Sequence, residues 1–428
     1  MVGSVLVTDS RTQAAIETVI RLESARLIAG LAHYTGDIGL AEDLAQDAVV
    51  AALEQWPTDG VPRNPGAWLT TVARRRAVDL FRRNSDLARK YAQIGRADGD
   101  VVQPDFDKAF SDDIDDDMLR LIFTACHPVL SVQAKVALTL RLLGGLTTVE
   151  IARAFLVPEP TIAQRIVRAK KTLSQANVPF EVPSSEDRPA RLSSVLEVIY
   201  LIFNEGYSAT AGDDWMRPAL CAEAVRLARV LAQLAPAEAE AHGLQALLEI
   251  QSSRISARTG PRGEPVLLLD QDRARWDRLL INRGLAALEK ATSLGGERGV
   301  YTLQAAIAAC HARAVRAQDT DWPRIVELYG VLAEAQPSPV VELNRAVAVS
   351  MLLGPQAALD MVDVLAAEPA LRNYHLLSSV RGDLLSKLGR AEEARAEFER
   401  AAALTSNQRE RQLSAERART PDSGAMEP

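Results

Sequence analysis

Along most of the chain, hydrophobic residues recur at spacings of three and four positions, the pattern of amphipathic α-helices. Clusters of Pro, Gly and Asp interrupt the periodic runs and predict turns or linkers. The runs form three helical blocks, at residues 11–90, 118–178 and 190–413. The sequence therefore predicts an all-α protein with two small helical domains followed by a long C-terminal helical-repeat domain.

The segments between these blocks have their own composition. Residues 91–117 are a predicted acidic linker, because nine Asp and one Lys lie between Asp98 and Asp117. Residues 179–189 combine prolines, serines and charges and form a second predicted linker. Residues 414–428 are predicted to be a disordered tail.

The C-terminal block contains a partial internal repeat. Two predicted helix-turn-helix pairs, with Gly354 and Gly389 in their turns, lie about 35 residues apart. This spacing is close to the ~34-residue period of tetratricopeptide repeats. The period is not clear before about residue 340, so we predict a tetratricopeptide-like array that is only partly regular.

Composition limits where nucleic acid could bind. The 428 residues are 47% hydrophobic and 25% charged, as in a soluble globular protein. The net charge is -7, which excludes a protein that coats nucleic acid along its whole surface. Any nucleic-acid site must therefore be a local basic patch.

Few features point to other classes of protein. Cys126, Cys221 and Cys310 are widely separated, which argues against a disulfide scaffold or a zinc site. The chain has neither a secretory signal nor an apolar run long enough to span a bilayer. Enzyme motifs such as a P-loop or HExxH are absent. We predict a cytoplasmic protein without membrane contact, metal, cofactor or catalysis.

A basic stripe lies on the helix predicted for residues 67–83. Residues 61–90 carry eight basic and two acidic side chains. Trp68, Arg75, Asp79 and Arg82 share one side of this helix, next to its apolar face. Guanidinium groups pair with phosphates, and an indole can stack on an unpaired base. A solvated basic helix with Trp68 partly in the core explains these residues about equally well.

The second block contains a predicted helix-turn-helix. Thr147 and Glu150 have the spacing of a capping box, and the residues around Pro158 and Pro160 must turn. The second helix, starting near Thr161, has an apolar stripe opposite a polar and basic one. Such a helix can read a major groove. The alternative is an ordinary helical hairpin with an exposed basic face.

The sequence also contains two Cys-His pairs and two polar motifs. Cys126-His127 and Cys310-His311 lack further metal ligands at useful spacing, so we predict buried helix residues. The motifs Asn204-Glu205-Gly206-Tyr207 and Asp270-Gln271-Asp272-Arg273 place polar groups in apolar surroundings. They could form buried hydrogen-bond networks or line a pocket for a ligand or peptide.

Together these motifs resemble a known family. The first block is similar to region 2 of bacterial extracytoplasmic-function (ECF) sigma factors, in Pro65-Gly66-Ala67-Trp68-Leu69, Val72-Ala73-Arg74-Arg75-Arg76 and Asp79-Leu80-Phe81-Arg82-Arg83. The second block is similar to their region 4, in Leu143-Gly144-Gly145-Leu146-Thr147-Thr148 and in residues 154–170. The rest resembles the sigma-factor group with a long tetratricopeptide-like C-terminal extension, in Phe203-Asn204-Glu205-Gly206-Tyr207 and Leu343-Asn344-Arg345-Ala346-Val347.

The resemblance implies a transcription initiation factor. It implies that region 2 binds the β′ clamp helices of core RNA polymerase and opens the −10 promoter element. It also implies that region 4 reads the −35 element as duplex DNA and contacts the β flap. Arg75 stands where the family usually has Asn.

The resemblance and the helix stripes together give three groups of candidate site residues. The resemblance implies that Trp68, Arg74 and Arg75 lie near the −10 strand, and the same basic helix adds Arg76, Arg82 and Arg83. The resemblance also implies that Thr161, Gln164, Arg165 and Arg168 belong to the −35 reading helix, with Lys171 at the edge of its polar stripe. Candidate polymerase contacts are the acidic residues of the helix predicted between residues 37 and 56, namely Asp37, Glu42, Asp43 and Asp47. Without the resemblance, a solvated acidic face is the preferred interpretation of these four residues.

Other functions remain open at this stage. The chain could be a helical-repeat scaffold that binds only protein, or a one-component regulator that binds an operator without polymerase. The C-terminal domain could hold the sigma regions inactive, or could be required for their activity through a protein or peptide partner. The sequence does not decide whether the C-terminal domain inhibits the sigma regions or is required for their activity.

Overall fold

The structure is a computed structural model that describes residues 16, 19–20, 23–92, 114–261 and 263–419, with the backbone alone at 83–92 and 114. Throughout these residues the secondary structure consists of helices and connecting loops, without a β-strand. The prediction of an all-α fold is confirmed. In the same part of the chain, every helix is too short or too polar to cross a bilayer.

The chain divides into two compact units, with the boundary between Val198 and Ile199. Both small helical blocks belong to the first unit, whereas the sequence predicted two separate domains. The boundary falls within a single helix, Arg188–Tyr207.

Three helices begin the described part of the first unit: α1 (residues 23–35), α2 (Ile38–Asp59) and α3 (Pro65–Ala92). The Asp37 carboxylate caps α2 by accepting from the backbone N–H groups of its first turn. Helix α2 ends at Gly60, whose φ of 83° suits a residue without a Cβ atom. It therefore extends three residues beyond the predicted end at Trp56.

Four helices complete the region-4 block: α4 (Ile114–Ala125), α5 (Val132–Leu142), α6 (Thr148–Phe155) and α7 (Glu159–Gln175). Helix α4 begins inside the predicted acidic linker, because acidic residues in a first turn are stabilised by the helix dipole. Asp117 is buried rather than solvated, and its Oδ1 lies 2.6 Å from both His33 Nδ1 and Arg120 Nη1. The predicted linker, which ended at residue 117, therefore overlaps the first turn of α4, which begins at Ile114.

The first turns of α8 (Arg188–Tyr207) pack in the first unit. Arg191 donates to the carbonyl of Phe123 (2.8 Å), and the Ser194 hydroxyl donates to the carbonyl of Cys126 (3.0 Å). Lys135 donates in turn to the Ser194 hydroxyl (2.7 Å). The start of α8 thus satisfies carbonyls at the end of α4.

The second unit is an array of helices that starts within α8. Its further helices are α9 (Pro218–Leu234), α10 (Ala239–Ser252), α11 (Arg278–Ser293), α12 (Val300–Arg313), α13 (Trp322–Ala335), α14 (Pro339–Leu353), α15 (Pro355–Leu365), α16 (His375–Lys387), α17 (Ala391–Leu404) and α18 (Gln408–Arg419).

The two hairpins predicted from the repeat are present as α14–α15 and α16–α17. Gly354 and Gly389, in their turns, have φ values of 92° and 72°, which explains why glycine occupies both positions. The assignment to tetratricopeptide repeats remains a prediction. Helix α18 runs through residues 414–419, which the sequence placed in a disordered tail, and it buries Ser414 and Ala418.

Close packing within the α16–α17 hairpin depends on a glycine. A Cβ atom added at Gly382 would lie 2.8 Å from a ring carbon of the fully buried Phe398. The helix therefore tolerates the weak helix propensity of glycine in exchange for close contact with the ring.

We expect Gly382→Ala to destabilise the hairpin by about 1–3 kcal/mol, because the added methyl overpacks the Phe398 ring. Gly330→Ala in α13 is the matched control, since a Cβ atom there would meet no neighbour within 4 Å. It should stabilise its helix by about 0.5–1 kcal/mol. Hydrogen exchange measured by mass spectrometry would report both changes. Equal protection of α16 in Gly382→Ala and the wild type would contradict the packing argument.

Candidate nucleic-acid interface

Helix α7 separates a buried face from a polar face. Its buried residues are Ile162, Ile166, Ala169 and Leu173, the stripe predicted from the sequence. Four of the five candidate −35 residues, Thr161, Gln164, Arg168 and Lys171, are exposed, and Arg165 is half-buried. The helix thus presents hydrogen-bond donors of the kinds that read base edges and phosphates.

The turn before α7 holds this helix against α6. The predicted capping box is confirmed: the Thr147 hydroxyl accepts from the Glu150 N–H, and the Glu150 carboxylate accepts from the Thr147 N–H. Leu156, the residue that follows the last residue of α6, caps the helix and has a left-handed backbone (φ 50°, ψ 40°). Helix α7 begins at Glu159, two residues earlier than predicted, because Pro160 has no N–H to lose in a first turn.

Leu156 is a feature that the sequence did not reveal. A left-handed conformation is costly for a side chain with a Cβ atom, and turns of this kind usually use glycine. The N–H of Val157 donates to the Ala152 carbonyl (3.1 Å), which satisfies one of the last carbonyls of α6. Tertiary packing of α6 on α7 therefore imposes the turn on an unfavourable residue.

The basic stripe of α3 lies beside a tryptophan pair. Leu69, Ala73 and Ala77 are buried on the core face, whereas Arg75 and Arg82 are exposed. Trp68 is half-buried, with its ring in an edge-to-face contact with the buried Trp56 (centroids 5.4 Å apart).

Trp68 lies partly in the core, as one of the two alternatives left open by the sequence requires, and nucleic-acid binding by this residue remains a prediction. One edge of the ring packs on the core, and part of the side chain is accessible. A partly fixed indole loses little further entropy on stacking with a base.

The other arginines of the stripe differ in their surroundings. Arg76 forms an ion pair with Asp47 of α2 (2.9 Å), so a candidate −10 residue is joined to a candidate polymerase contact. Arg74 is half-buried, and its charge lies near Tyr34. The side chain of Arg83 lies outside the described residues.

The acidic residues of α2 do not form one exposed face. Asp43 and Asp47 are exposed, and Asp37 is used as the cap of α2. Glu42 instead is 3% exposed and points into the unit. The expectation of a solvent-facing acidic side therefore fails at Glu42, because the helical period places it on the same face as the buried Ala41 and Ala45.

Glu42 forms what we call the Glu42 clasp, with Arg141 of α5 and Lys170 of α7. Arg141 Nε donates to Glu42 Oε1 (2.6 Å), and Lys170 Nζ pairs with Glu42 Oε2. The clasp joins region 2 to region 4 inside the first unit. Neither cation was singled out from the sequence. Lys170 directly follows the buried Ala169, a position from which a long side chain can cross the edge of an apolar stripe.

The charge balance of the clasp sets its pH dependence. Burial raises the pKa of Glu42, but Lys170 and Arg141 outweigh burial, so the pKa lies below its usual value. A carboxyl with a lowered folded-state pKa contributes stability that is fully present above the unfolded pKa. That contribution is lost as the pH falls through the folded pKa. The clasp should therefore stay intact throughout the neutral range.

The cysteines and their neighbouring histidines are structural. Cys126, Cys221 and Cys310 are free thiols and are buried. Burial raises the pKa of Cys126 to about 11 and that of Cys221 to about 12, so both stay protonated. His311 is buried in α12 as predicted, but His127 lies half-buried in the turn after α4, contrary to the prediction of a buried helix residue.

The two polar motifs of the second unit contribute both networks and pocket walls. Glu205 forms an ion pair with Arg217. The buried Arg273 donates to the carbonyls of His311 (2.5 Å) and Ala314 (2.8 Å). Tyr207 and Gln271 line a cavity. The predicted hydrogen-bond networks are therefore present, whereas a pocket for a ligand or peptide remains a prediction.

Comparison with known proteins agrees with this geometry. The sigma-70 region 2 family matches residues 20–86, and the sigma-70 region 4 family matches residues 120–173. A family of unknown function, DUF6596, matches residues 191–292. An uncharacterized protein of Rhizobium meliloti (strain 1021) is 46% identical over 395 residues, which cover 91% of this chain and 92% of that protein. No solved structure matches the chain.

The fold and the two basic helices define a protein of the sigma-70 class, with regions 2 and 4 and a C-terminal extension. The chain belongs to the ECF-like sigma factors of the sigma-70 family. It is a transcription factor that works with core RNA polymerase and promoter DNA, and it is not an enzyme.

We expect Glu42→Gln to destabilise the first unit by about 1–3 kcal/mol, because two cations would lose their shared carboxylate. The exposed Glu54, on the same helix, supplies the control Glu54→Gln. Hydrogen exchange of peptides from α2, α5 and α7 measures the change. If the amide hydrogens of these peptides exchanged equally slowly in Glu42→Gln and Glu54→Gln, the Glu42 clasp would not contribute to the stability of the first unit.

Proposed function

We propose that this sigma factor recognises promoters with two separate surfaces, region 2 on the −10 element and region 4 on the −35 element. The observation that carries the proposal is the polar face of α7, whose side chains are exposed opposite a fully buried stripe. A second basic surface, on α3, stands beside a half-buried indole.

The −35 assignment is supported by the chemistry of α7. Gln164 and Thr161 can bond base edges, and Arg165 and Arg168 can reach guanine or phosphate. Because the opposite face is anchored by buried residues, the helix can enter a major groove without exposing its core. The turn at Leu156 orients it on α6, as in other helix-turn-helix units.

The −10 assignment is supported by the exposed arginines of α3. Opening a duplex requires groups that hold the displaced strand, and guanidinium groups with an aromatic ring do this. Arg75 and Arg82 are both exposed and lie on the same side of α3 as Trp68. Arg76 has to leave Asp47 before it can contact a phosphate.

Polymerase contact is assigned to the exposed acids of α2. Asp43 and Asp47 are exposed, and Asp37 lies at the start of the helix. Glu42 can contribute only after the Glu42 clasp separates, because both its oxygens face Arg141 and Lys170. We propose contacts to the β′ clamp helices through region 2 and to the β flap through region 4. A cytoplasmic location follows from this role.

The two rival functions predict different DNA behaviour. A protein-binding scaffold would not bind promoter duplex specifically, and a one-component operator binder usually forms a symmetric dimer. Two unlike cationic surfaces in one chain favour an asymmetric promoter bound together with polymerase. Sequencing of transcript 5′ ends that depend on the protein would supply the promoter used below.

We expect Arg165→Ala with Arg168→Ala to reduce run-off transcription with core polymerase about tenfold or more, since both groups would contact the −35 duplex. The defect should persist on a template that is already melted at −10. Arg188→Ala, which changes an exposed arginine in the first turn of α8, is the control for charge loss. Normal transcription by the double variant would contradict −35 reading by α7.

We expect Arg75→Ala with Arg82→Ala to reduce run-off on duplex DNA, because the single strand is held less well. Pre-melting the −10 element should restore most of the activity, unlike in the α7 variant. Arg26→Ala in α1 is the matched control. A defect of the same size on duplex and pre-melted templates would contradict a role in opening.

We also propose that the C-terminal unit regulates the sigma regions. The support is its continuity with the first unit through α8, in a chain whose relative matches over nearly its full length. A protease site inserted after the exposed Glu181, in the loop before α8, would allow the intact protein to be cleaved into a fragment with α1–α7 and a fragment with α8 and the C-terminal unit.

Cleavage should change run-off at least threefold once the fragments separate on gel filtration. A rise would indicate inhibition by the C-terminal unit, and a fall would indicate that it is required. The same protease added to the protein without the inserted site is the control. Unchanged transcription after separation of the fragments would contradict regulation.

A further inference from the structure

The second unit contains a cavity of about 340 Å³ that plays no part in the proposed promoter contacts. Its volume lies in the range of sites for small molecules. Part of its lining is apolar and consists of Val266, Leu267, Leu268, Leu376 and Leu413. The lining also contains the polar residues that decide what could bind there.

Arg258 is the central polar residue of this cavity. It is 7% exposed, and its guanidinium carbon lies 3.3 Å from the ring centroid of Tyr207 and 4.4 Å from that of Trp215. The two aromatic rings therefore contact the guanidinium group and fix its plane. Its Nη1 atom is buried and has no hydrogen-bond partner.

A second arginine stands beside it. Arg254 also lines the cavity and donates from Nη2 to the Tyr207 hydroxyl (2.7 Å). In the described part of the chain, neither Arg254 nor Arg258 has a carboxylate partner. The nearby acids have other partners: Glu205 pairs with Arg217, and Glu410, which also lines the cavity, pairs with His375 and accepts from Thr405.

The guanidinium group of Arg258 is therefore buried without a carboxylate partner that would neutralise its charge. Burial lowers the pKa of Arg258, and the charge of Arg254 acts in the same direction against the influence of Tyr207. Buried charges in folded proteins are normally paired. A water molecule could accept the Nη1 hydrogen bond, but it would not neutralise the charge.

Gln271 adds a second unpartnered atom to the cavity. Its side chain is 8% exposed, and its Nε2 donates to the carbonyl of Val266 (3.1 Å). Its Oε1 is buried and has no partner. The site therefore offers one unpartnered donor, Arg258 Nη1, and one unpartnered acceptor, Gln271 Oε1. Contacts with neighbouring residues hold both side chains in place.

We propose that this cavity binds a small organic carboxylate with an apolar tail, held by Arg258 and Arg254. The planar guanidinium group of Arg258 lies over two aromatic rings, and its unpartnered Nη1 can donate to a carboxylate oxygen. The leucine side chains of the lining would cover the tail. The proposal does not depend on the promoter contacts proposed above.

The test uses the full-length protein and three probes with the same six-carbon tail: hexanoate, hexyl phosphate and hexylammonium. Ligand-observed NMR titrations in a chloride buffer give the dissociation constants. For a probe of this size we expect hexanoate to bind with a Kd on the order of 1 mM. Hexylammonium should bind at least tenfold more weakly.

Two arginine variants locate the site. Arg258→Met should weaken hexanoate binding at least tenfold, and the half-exposed Arg254→Gln at least threefold. Arg372→Gln, an exposed arginine of the same unit, removes an equal charge outside the cavity and should leave binding unchanged. If Arg258→Met fails to fold, Arg254→Gln decides the outcome.

A stability measurement separates a binding role from a structural one. If Arg258 serves a ligand, Arg258→Met should raise or preserve the thermal midpoint of the unit while it abolishes binding, because it removes an unpaired buried charge. A lowered midpoint in Arg258→Met, together with unchanged hexanoate binding in Arg254→Gln, would overturn the proposal. Equal affinity for hexanoate and hexylammonium would do so as well, and hexyl phosphate binding more than tenfold tighter than hexanoate would overturn the carboxylate class.

Discussion

A buried carboxylate on α2, Glu42, accepts from two cations that come from α5 and α7. Burying a charge is unfavourable unless it is paired, so this contact tolerates little change in the relative position of its helices. It therefore fixes region 2 against region 4 within the first unit. It also withdraws from solvent one of the acidic residues that the family resemblance offers to polymerase. Access to that residue thus depends on separation of the two regions.

The two surfaces proposed to contact DNA have a simpler physical basis. In both α3 and α7, small and aliphatic residues at helical spacing bury one face, so the polar residues between them must face outward. The basic charge that the acidic chain lacks as a whole is concentrated on these outward faces. Pairing of Arg76 with Asp47 shows that even there part of the charge is engaged within the protein.

The C-terminal unit uses its charges differently. Many of its described acids and arginines are paired on the surface or in buried networks, such as Arg273 with carbonyls at the end of α12. Arg258 departs from this pattern, because aromatic rings contact its guanidinium group in place of an acid. A guanidinium group stacked on a ring keeps its edge available for hydrogen bonds, and the carboxylate site proposed above rests on this property.

The sequence by itself determined the helices, their buried stripes and the capping box, because these depend on residues three or four positions apart. It also placed the α14–α15 and α16–α17 hairpins, since glycine in a turn is a local requirement. Only the tertiary structure decided the partners of Glu42, the burial of Asp117 and the left-handed backbone of Leu156. These follow from contacts between residues far apart in the chain, such as Glu42 with Lys170, for which local periodicity carries no information. The cavity around Arg258 belongs to the same group, because Tyr207 of α8 meets Arg258 and Gln271, which lie between α10 and α11, only after the chain has folded.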